Sequence, residues 1–143
     1  GTATRGGVVC LAELSASGAA MDQGGNKVAY QAATATDVPV GLLLNDVVDK
    51  DLTRTHLNQY KDEIQKGGKV TVLTRGWVLT SNVEGSPAAG DLAFASSTSA
   101  GDLCNGTTFV AKSGELAVGR FMSAKDADGY AKVYVNLPNT FGA

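Results

Sequence analysis

Tyr130-Ala-Lys-Val-Tyr-Val-Asn-Leu137 alternates without a break: Ala131, Val133, Val135 and Leu137 fall on one side of an extended chain, Tyr130, Lys132, Tyr134 and Asn136 on the other. Successive side chains of a strand point to opposite faces, so this is the pattern of a half-buried β-strand and not of a helix. Pro138 ends it, having no amide to donate. Upstream, Glu115 to Met122 reads as the partner strand, and Asp126-Ala-Asp-Gly129 supplies turn residues tolerant of positive φ. Residues 115 to 137 are therefore expected to form a hairpin.

The same grammar extends toward the N-terminus. Asn105-Gly106, between Leu103-Cys104 and Thr107-Thr-Phe-Val110, is the dipeptide a type I′ turn prefers and predicts a second hairpin. Lys69 to Thr80 alternates Val70, Val72 and Thr74 against Thr71, Leu73 and Arg75, then meets Gly76 before Trp77-Val-Leu79, where a bulge or bend is expected. Val8 to Leu14, Lys27 to Gln31, Val38 to Asn45 and Leu92 to Ser96 complete about eight short strands, the spacing of a small β-sandwich or barrel. The expected fold class is all-β. One segment departs from it: between Asp51 and Lys66, Leu57, Tyr60 and Ile64 form a narrow helical stripe, with Asp51 or Thr53 as cap and Gly67-Gly68 as stop. A short helix or ordered excursion is expected there, packed on the β domain or on a neighbouring subunit because its stripe is too narrow to make a core alone.

Length fits one domain: 143 residues is close to the roughly 150 of a typical unit. Eighteen glycines in 143 residues, about 13% against a usual ~7%, without the period of collagen, suit a turn-rich β protein. A net charge of -2 lacks the positive field that non-specific nucleic-acid binding relies on, so no nucleic-acid partner is expected. No apolar run is long enough to cross a membrane as a helix; the longest candidate, Val38 to Leu44, stops at Asn45-Asp46. Gly1 to Gly7 carries neither the apolar core of a signal peptide nor a myristoylation pattern. No export and no membrane partner are expected. No repeat of 20 to 50 residues recurs, which argues against a solenoid or propeller.

The search for chemistry finds no catalytic set. His56, the single histidine, lies near Asp51, Arg54, Asp62 and Glu63 in the excursion, where a surface or interface role fits better than acid–base work. Zinc would need further His or Cys ligands, and Cys10 and Cys104 are too few, reading instead as small buried thiols. Gly67-Gly-Lys69 resembles the end of a P-loop, but Val70 replaces the magnesium-holding hydroxyl and Glu63 stands where the first Gly belongs. Asp46, Asp49 and Asp51 miss EF-hand spacing, and neither a dinucleotide fingerprint nor a hydrolase elbow is present. Without an export signal, Asn105-Gly-Thr107 is a turn and not a glycosylation site. Catalytic, cofactor and metal sites are thus all expected to be absent. Trp77, Tyr30, Tyr130 and Tyr134 leave one ligand class open, a sugar stacked on aromatic rings, as in a carbohydrate- or receptor-binding module of a fibre tip or head appendage.

The order of features also resembles a known family. An alternating Val/Thr strand running into Gly76-Trp77, then Pro87-Ala-Ala-Gly-Asp91 before Leu92-Ala-Phe94, then Val118-Gly-Arg-Phe121, then Tyr130 to Leu137, is similar to the head decoration, or capsid cement, proteins of tailed bacteriophages. Gly18-Ala-Ala-Met-Asp22 and Val38-Pro-Val-Gly-Leu42 fit the first part of that group, so the likeness covers most of residues 8 to 137. It implies a non-enzymatic, β-rich virion protein, made in the host bacterial cytoplasm and often homotrimeric. Such a protein binds the major capsid protein on the outer surface of the expanded head and clamps neighbouring capsomers.

Two units follow, an extended N-terminal arm at 1–7 and a decoration domain at 8–143 that includes the excursion at 51–66. Residues 1 to 7 hold no large apolar side chain and are expected to be mobile until they add a strand to the shell, with Arg5 reaching a carboxylate. The expected capsid or subunit contacts are Thr2, Thr4, Arg5, Arg54, His56, Tyr60 and Trp77, the last chosen with the arginines and Tyr60 because Trp, Tyr and Arg dominate interface energetics.

Overall fold

The computed structural model describes residues 3–11, 27–31, 38–47, 63–64, 68–106 and 117–137. Eleven strands and no helix are found among them: β1 (Ala3–Thr4), β2 (Val8–Leu11), β3 (Val28–Tyr30), β4 (Pro39–Val47), β5 (Glu63–Ile64), β6 (Lys69–Leu73), β7 (Arg75–Thr80), β8 (Leu92–Ala95), β9 (Leu103–Cys104), β10 (Ala117–Phe121) and β11 (Ala131–Asn136). They form a five-stranded sheet, β7-β11-β10-β8-β9, a four-stranded sheet, β3-β2-β4-β6, and a two-stranded ribbon, β1-β5. Every pairing between these strands is antiparallel. The all-β sandwich-like class read from the sequence is the class observed.

The C-terminal hairpin is in place. β10 pairs β11 with Phe121 opposite Val133 and Gly119 opposite Val135, and Ala131, Val133, Val135 and Leu137 are buried as the alternation required. Gly129, at φ 87, takes the left-handed conformation in the connecting turn, and Asp126 Oδ1 accepts from the amides of Asp128 and Tyr130. The chain changes sheets at Thr74, between β6, which ends at Leu73 in the four-stranded sheet, and β7, which begins at Arg75 as an edge of the five-stranded one; Gly76, with φ 144, is the second residue of β7. The Leu137 amide ties down this crossing by donating to the Thr74 carbonyl (2.8 Å). In the hairpin expected around Asn105-Gly106, Leu103–Cys104 is strand β9 and Gly106 has φ 73, while residues 107–110 lie outside the described residues.

Two clusters of apolar side chains hold the layers together. The main one joins Val8, Cys10 and Leu42 of the four-stranded sheet to Ala93, Leu103, Val118, Phe121, Val133 and Val135 across the sandwich. The second lies on the other side of the four-stranded sheet, where Val9, Leu43, Val70 and Val72 meet Ala3 of β1 and Ile64 of β5. Val8-Val9 and Leu42-Leu43 are consecutive because their strands are buried on both faces, each neighbour feeding a different cluster. Buried Gln31 joins the sheets at one end, donating to the Ser96 carbonyl and accepting from the Gly101 amide, both at 2.7 Å. Such a polar link is favourable when buried because both ends are satisfied.

The ribbon changes the reading of the N-terminal segment. Residues 3 to 7 are not a free arm: Ala3 and Thr4 pair with Ile64 and Glu63, the Gly6 amide donates to Leu43 O (2.7 Å), and the Leu43 amide donates to Gly7 O (2.8 Å). Asn82 Nδ2 donates to Arg5 O (2.8 Å), and Thr80 Oγ1 donates to Gly6 O (3.0 Å). The expectation of mobility weighed only the small side chains, whereas the segment is held by its backbone, whose amides and carbonyls find partners inside the domain. In the 51–66 excursion, Glu63 and Ile64 are strand and not helix, Ile64 packs on the domain as expected, and the remainder lies outside the described residues.

Candidate functional site

The outer face of the five-stranded sheet carries a row of large side chains held in register. Trp77 of β7 stands opposite Tyr134 of β11, Tyr134 opposite Arg120 of β10, and Arg120 opposite Leu92 of β8. The row thus crosses four strands. Beside it, Leu79 faces Lys132 and Arg75 faces Asn136. Trp77 is 57% exposed and Leu79 63%, with Leu92, Met122 and Tyr130 also exposed. Alternation explains this placement, since the residues between them, Val133, Val135, Ala93 and Phe121, fill the core.

Neighbouring contacts fix the side chains of the face. The Trp77 and Tyr134 rings lie 5.0 Å apart, tilted by 60°, a favourable aromatic arrangement. Lys132 Nζ sits 4.8 Å from the Trp77 ring centroid, within cation–π range. Arg75 Nε donates to Asn136 Oδ1 (3.0 Å), and Arg120 Nη1 donates to Gly90 O (2.6 Å). The face thus combines exposed apolar area with cations held in place by neutral contacts.

A polar network lies at the loops. Glu84 accepts from Ser96 Oγ and from Thr98 Oγ1 (2.7 Å to Oε1), and Ser96 Oγ accepts from the amides of Thr98 and Ser99. Asp102 has its pKa raised by burial first and by the Glu84 charge second, with Lys125 opposing. Asp91 shifts the other way, lowered by the Ala88 amide and then by Asn105. These hydrogen bonds shape the loops. Among the described residues, no group of three or more His, Cys, Asp and Glu is placed to hold a metal ion.

Of the contact residues expected from sequence, Trp77 is on the open face. Thr4 turns its hydroxyl inward to Tyr30 OH (2.8 Å) and to Asn82 Oδ1 (3.2 Å), and the Arg5 backbone is bonded to Asn82. Thr2, Arg54, His56 and Tyr60 lie outside the described residues. The two other expected contacts that are described, Thr4 and Arg5, are tied to Tyr30 and Asn82 and not to Trp77. The neighbours of Trp77 on the face are Tyr134, which the sequence reading had grouped with it only as a sugar-stacking aromatic, and Lys132, Leu79, Arg75 and Arg120, which it did not select. The alternation of 130–137 had already turned Tyr134 and Lys132 outward; the missing signal was the register that sets β11 beside β7.

Comparison with known families decides what kind of domain carries this face. The model of the phage structural cement proteins (E217 gp24/Pam3 gp6) matches residues 2–136. The chain belongs to that family. No curated protein and no solved structure gives a significant match. As a structural cement protein of a bacteriophage, it is a virion component that associates with capsid proteins. The matched span takes in both sheets, the ribbon and the whole row from Trp77 to Tyr134.

Proposed function

We propose that this cement protein binds the outer surface of the expanded phage head, contacts the major capsid protein and clamps neighbouring capsomers against internal DNA pressure. The family match carries the reading, and a sandwich with one open, aromatic and cationic face supports it. The role is non-catalytic. A ligand that binds only the expanded lattice stabilises it by RT ln(1 + [L]/Kd), about 2.7 kcal/mol per site at ~100 Kd, and many sites add up. A specific contact of this kind buries roughly 1,200 to 2,000 Å². The chain is made in the bacterial cytoplasm and acts as a homotrimer, for which closed symmetry on a three-fold position of the shell is the reason.

The test is to add the protein to expanded heads that lack it and to measure the temperature at which DNA is released. A rise that saturates with occupancy is expected; unchanged release despite full occupancy would refute clamping. Light scattering together with a map of decorated heads tests the trimer. The exposed, tilted Trp77–Tyr134 pair favours a second reading, glycan binding, which a glycan array with wild type and Trp77→Ala addresses.

A further inference from the structure

We infer that the open face of the five-stranded sheet is the surface that meets the shell, and that its partner there is an acidic protein surface, carboxylates set around an apolar patch. This rests on the cement reading above. Eight outward positions define the face: Arg75, Trp77, Leu79, Leu92, Arg120, Lys132, Tyr134 and Asn136. Three are cations and none is acidic, although the whole chain has a net charge of -2. The face is therefore opposite in sign to the molecule that bears it. Apposing it to the same face of a second copy would set cations against cations, which disfavours a two-fold self-contact.

The cations are also ready for carboxylates. Arg75 and Arg120 each use one guanidinium N–H on a neutral oxygen of Asn136 or Gly90, and Lys132 rests over Trp77. None of the three meets a carboxylate among the described residues. Each guanidinium keeps donors in the planar fork that fits a carboxylate edge-on. Because the neutral contacts already fix these side chains, little further ordering entropy is lost on binding. The apolar centre, Trp77 and Tyr134 flanked by Leu79 and Leu92, supplies the desolvated anchor that interface energetics favour. Three interstrand steps make the row from Trp77 to Leu92 about 14 Å long, enough to seat one strand or loop of a partner.

The experiment measures binding of wild type, Arg75→Glu, Lys132→Glu, Trp77→Ala and the control Lys69→Glu to expanded heads lacking cement protein, at low and high salt. Melting and light scattering are run on every variant. Lys69 is exposed on β6 of the other sheet, so its reversal makes the same charge change away from the face. The three face variants should fold, keep the wild-type mass and bind at least tenfold more weakly, while Lys69→Glu stays within twofold and wild-type affinity falls with salt. Normal head binding by the face variants would overturn this inference and leave the cement reading standing. Altered mass would make the face a self-contact, and selective loss of glycan or oligonucleotide binding would assign it to those ligands; either overturns the inference. Absence of wild-type binding to heads would instead overturn the cement reading itself.

Discussion

On the outer side of the four-stranded sheet Val9 and Leu43 are each 2% exposed, whereas on the outer side of the five-stranded sheet Trp77 and Leu79 are 57% and 63% exposed. Both sheets feed the same central core, so the difference lies in what covers them. The first is roofed by the chain itself, through the β1–β5 ribbon and its residues Ala3 and Ile64. The second has no such roof among the described residues and places its aromatic side chains and cations in solvent. A sheet face of the first kind contributes to stability in the free protein. A face of the second kind adds nothing comparable to the free protein and, on the proposed reading, contributes when a partner arrives.

The comparison is broken most directly by removing the roof. Deleting residues 1 to 6 should destabilise the isolated domain by roughly 3 kcal/mol, because it uncovers the second cluster and strips partners from Leu43 O, Asn82 and Tyr30. Unchanged thermal melting would show that the ribbon is incidental. A point change at the same place should be smaller: Ile64→Ala, at a site 5% exposed, is expected to cost about 2 kcal/mol. Trp77→Ala, by contrast, should alter stability by no more than about 1 kcal/mol, chiefly through its contacts with Tyr134 and Lys132. Equal melting losses in these two variants would erase the distinction between covered and open faces.

The loops give the smallest effects and sharpen the contrast by pH. Asp102 lies beside Gly101, in the loop bonded to Gln31 of the other sheet, and its pKa is raised above 3.8. Its folded form holds a proton more tightly than the unfolded chain, so its favourable contribution is complete below the unfolded value and lost as pH rises through the folded one. Asp102→Asn should therefore raise the melting temperature at neutral pH, by roughly a few tenths of a kcal/mol because solvent still screens the half-buried group. That advantage should vanish in acid. Asp91 borders the open face beside Leu92, and its pKa is lowered. Its contribution is present above the unfolded value and lost as pH falls through the folded one, so Asp91→Asn should lower the neutral melting temperature and converge with wild type in acid. Parallel pH profiles for the two variants would contradict the opposite environments assigned to them.

Period-two alternation is a local property, and residues 130 to 137 displayed it so fully that the strand, its buried side and its turn were legible from residue order alone. A bend near Gly76 was equally legible. That the chain passes from one sheet to another just before it, at Thr74, was not: only the folded chain shows Leu73 and Arg75 in different sheets. The runs Val8-Val9-Cys10 and Leu42-Leu43 are apolar without alternating, and no local rule assigns such residues to two separate clusters. For the same reason the ribbon escaped the sequence. Ala3 and Thr4 pair with residues some sixty positions away through backbone groups that every residue possesses, so side-chain identity carried no trace of it. The open face was half determined: composition supplied Trp77 and alternation turned Tyr134 and Lys132 outward. Their assembly into one row depended on the β7-β11-β10-β8 register, a long-range choice made by the packing of the core beneath.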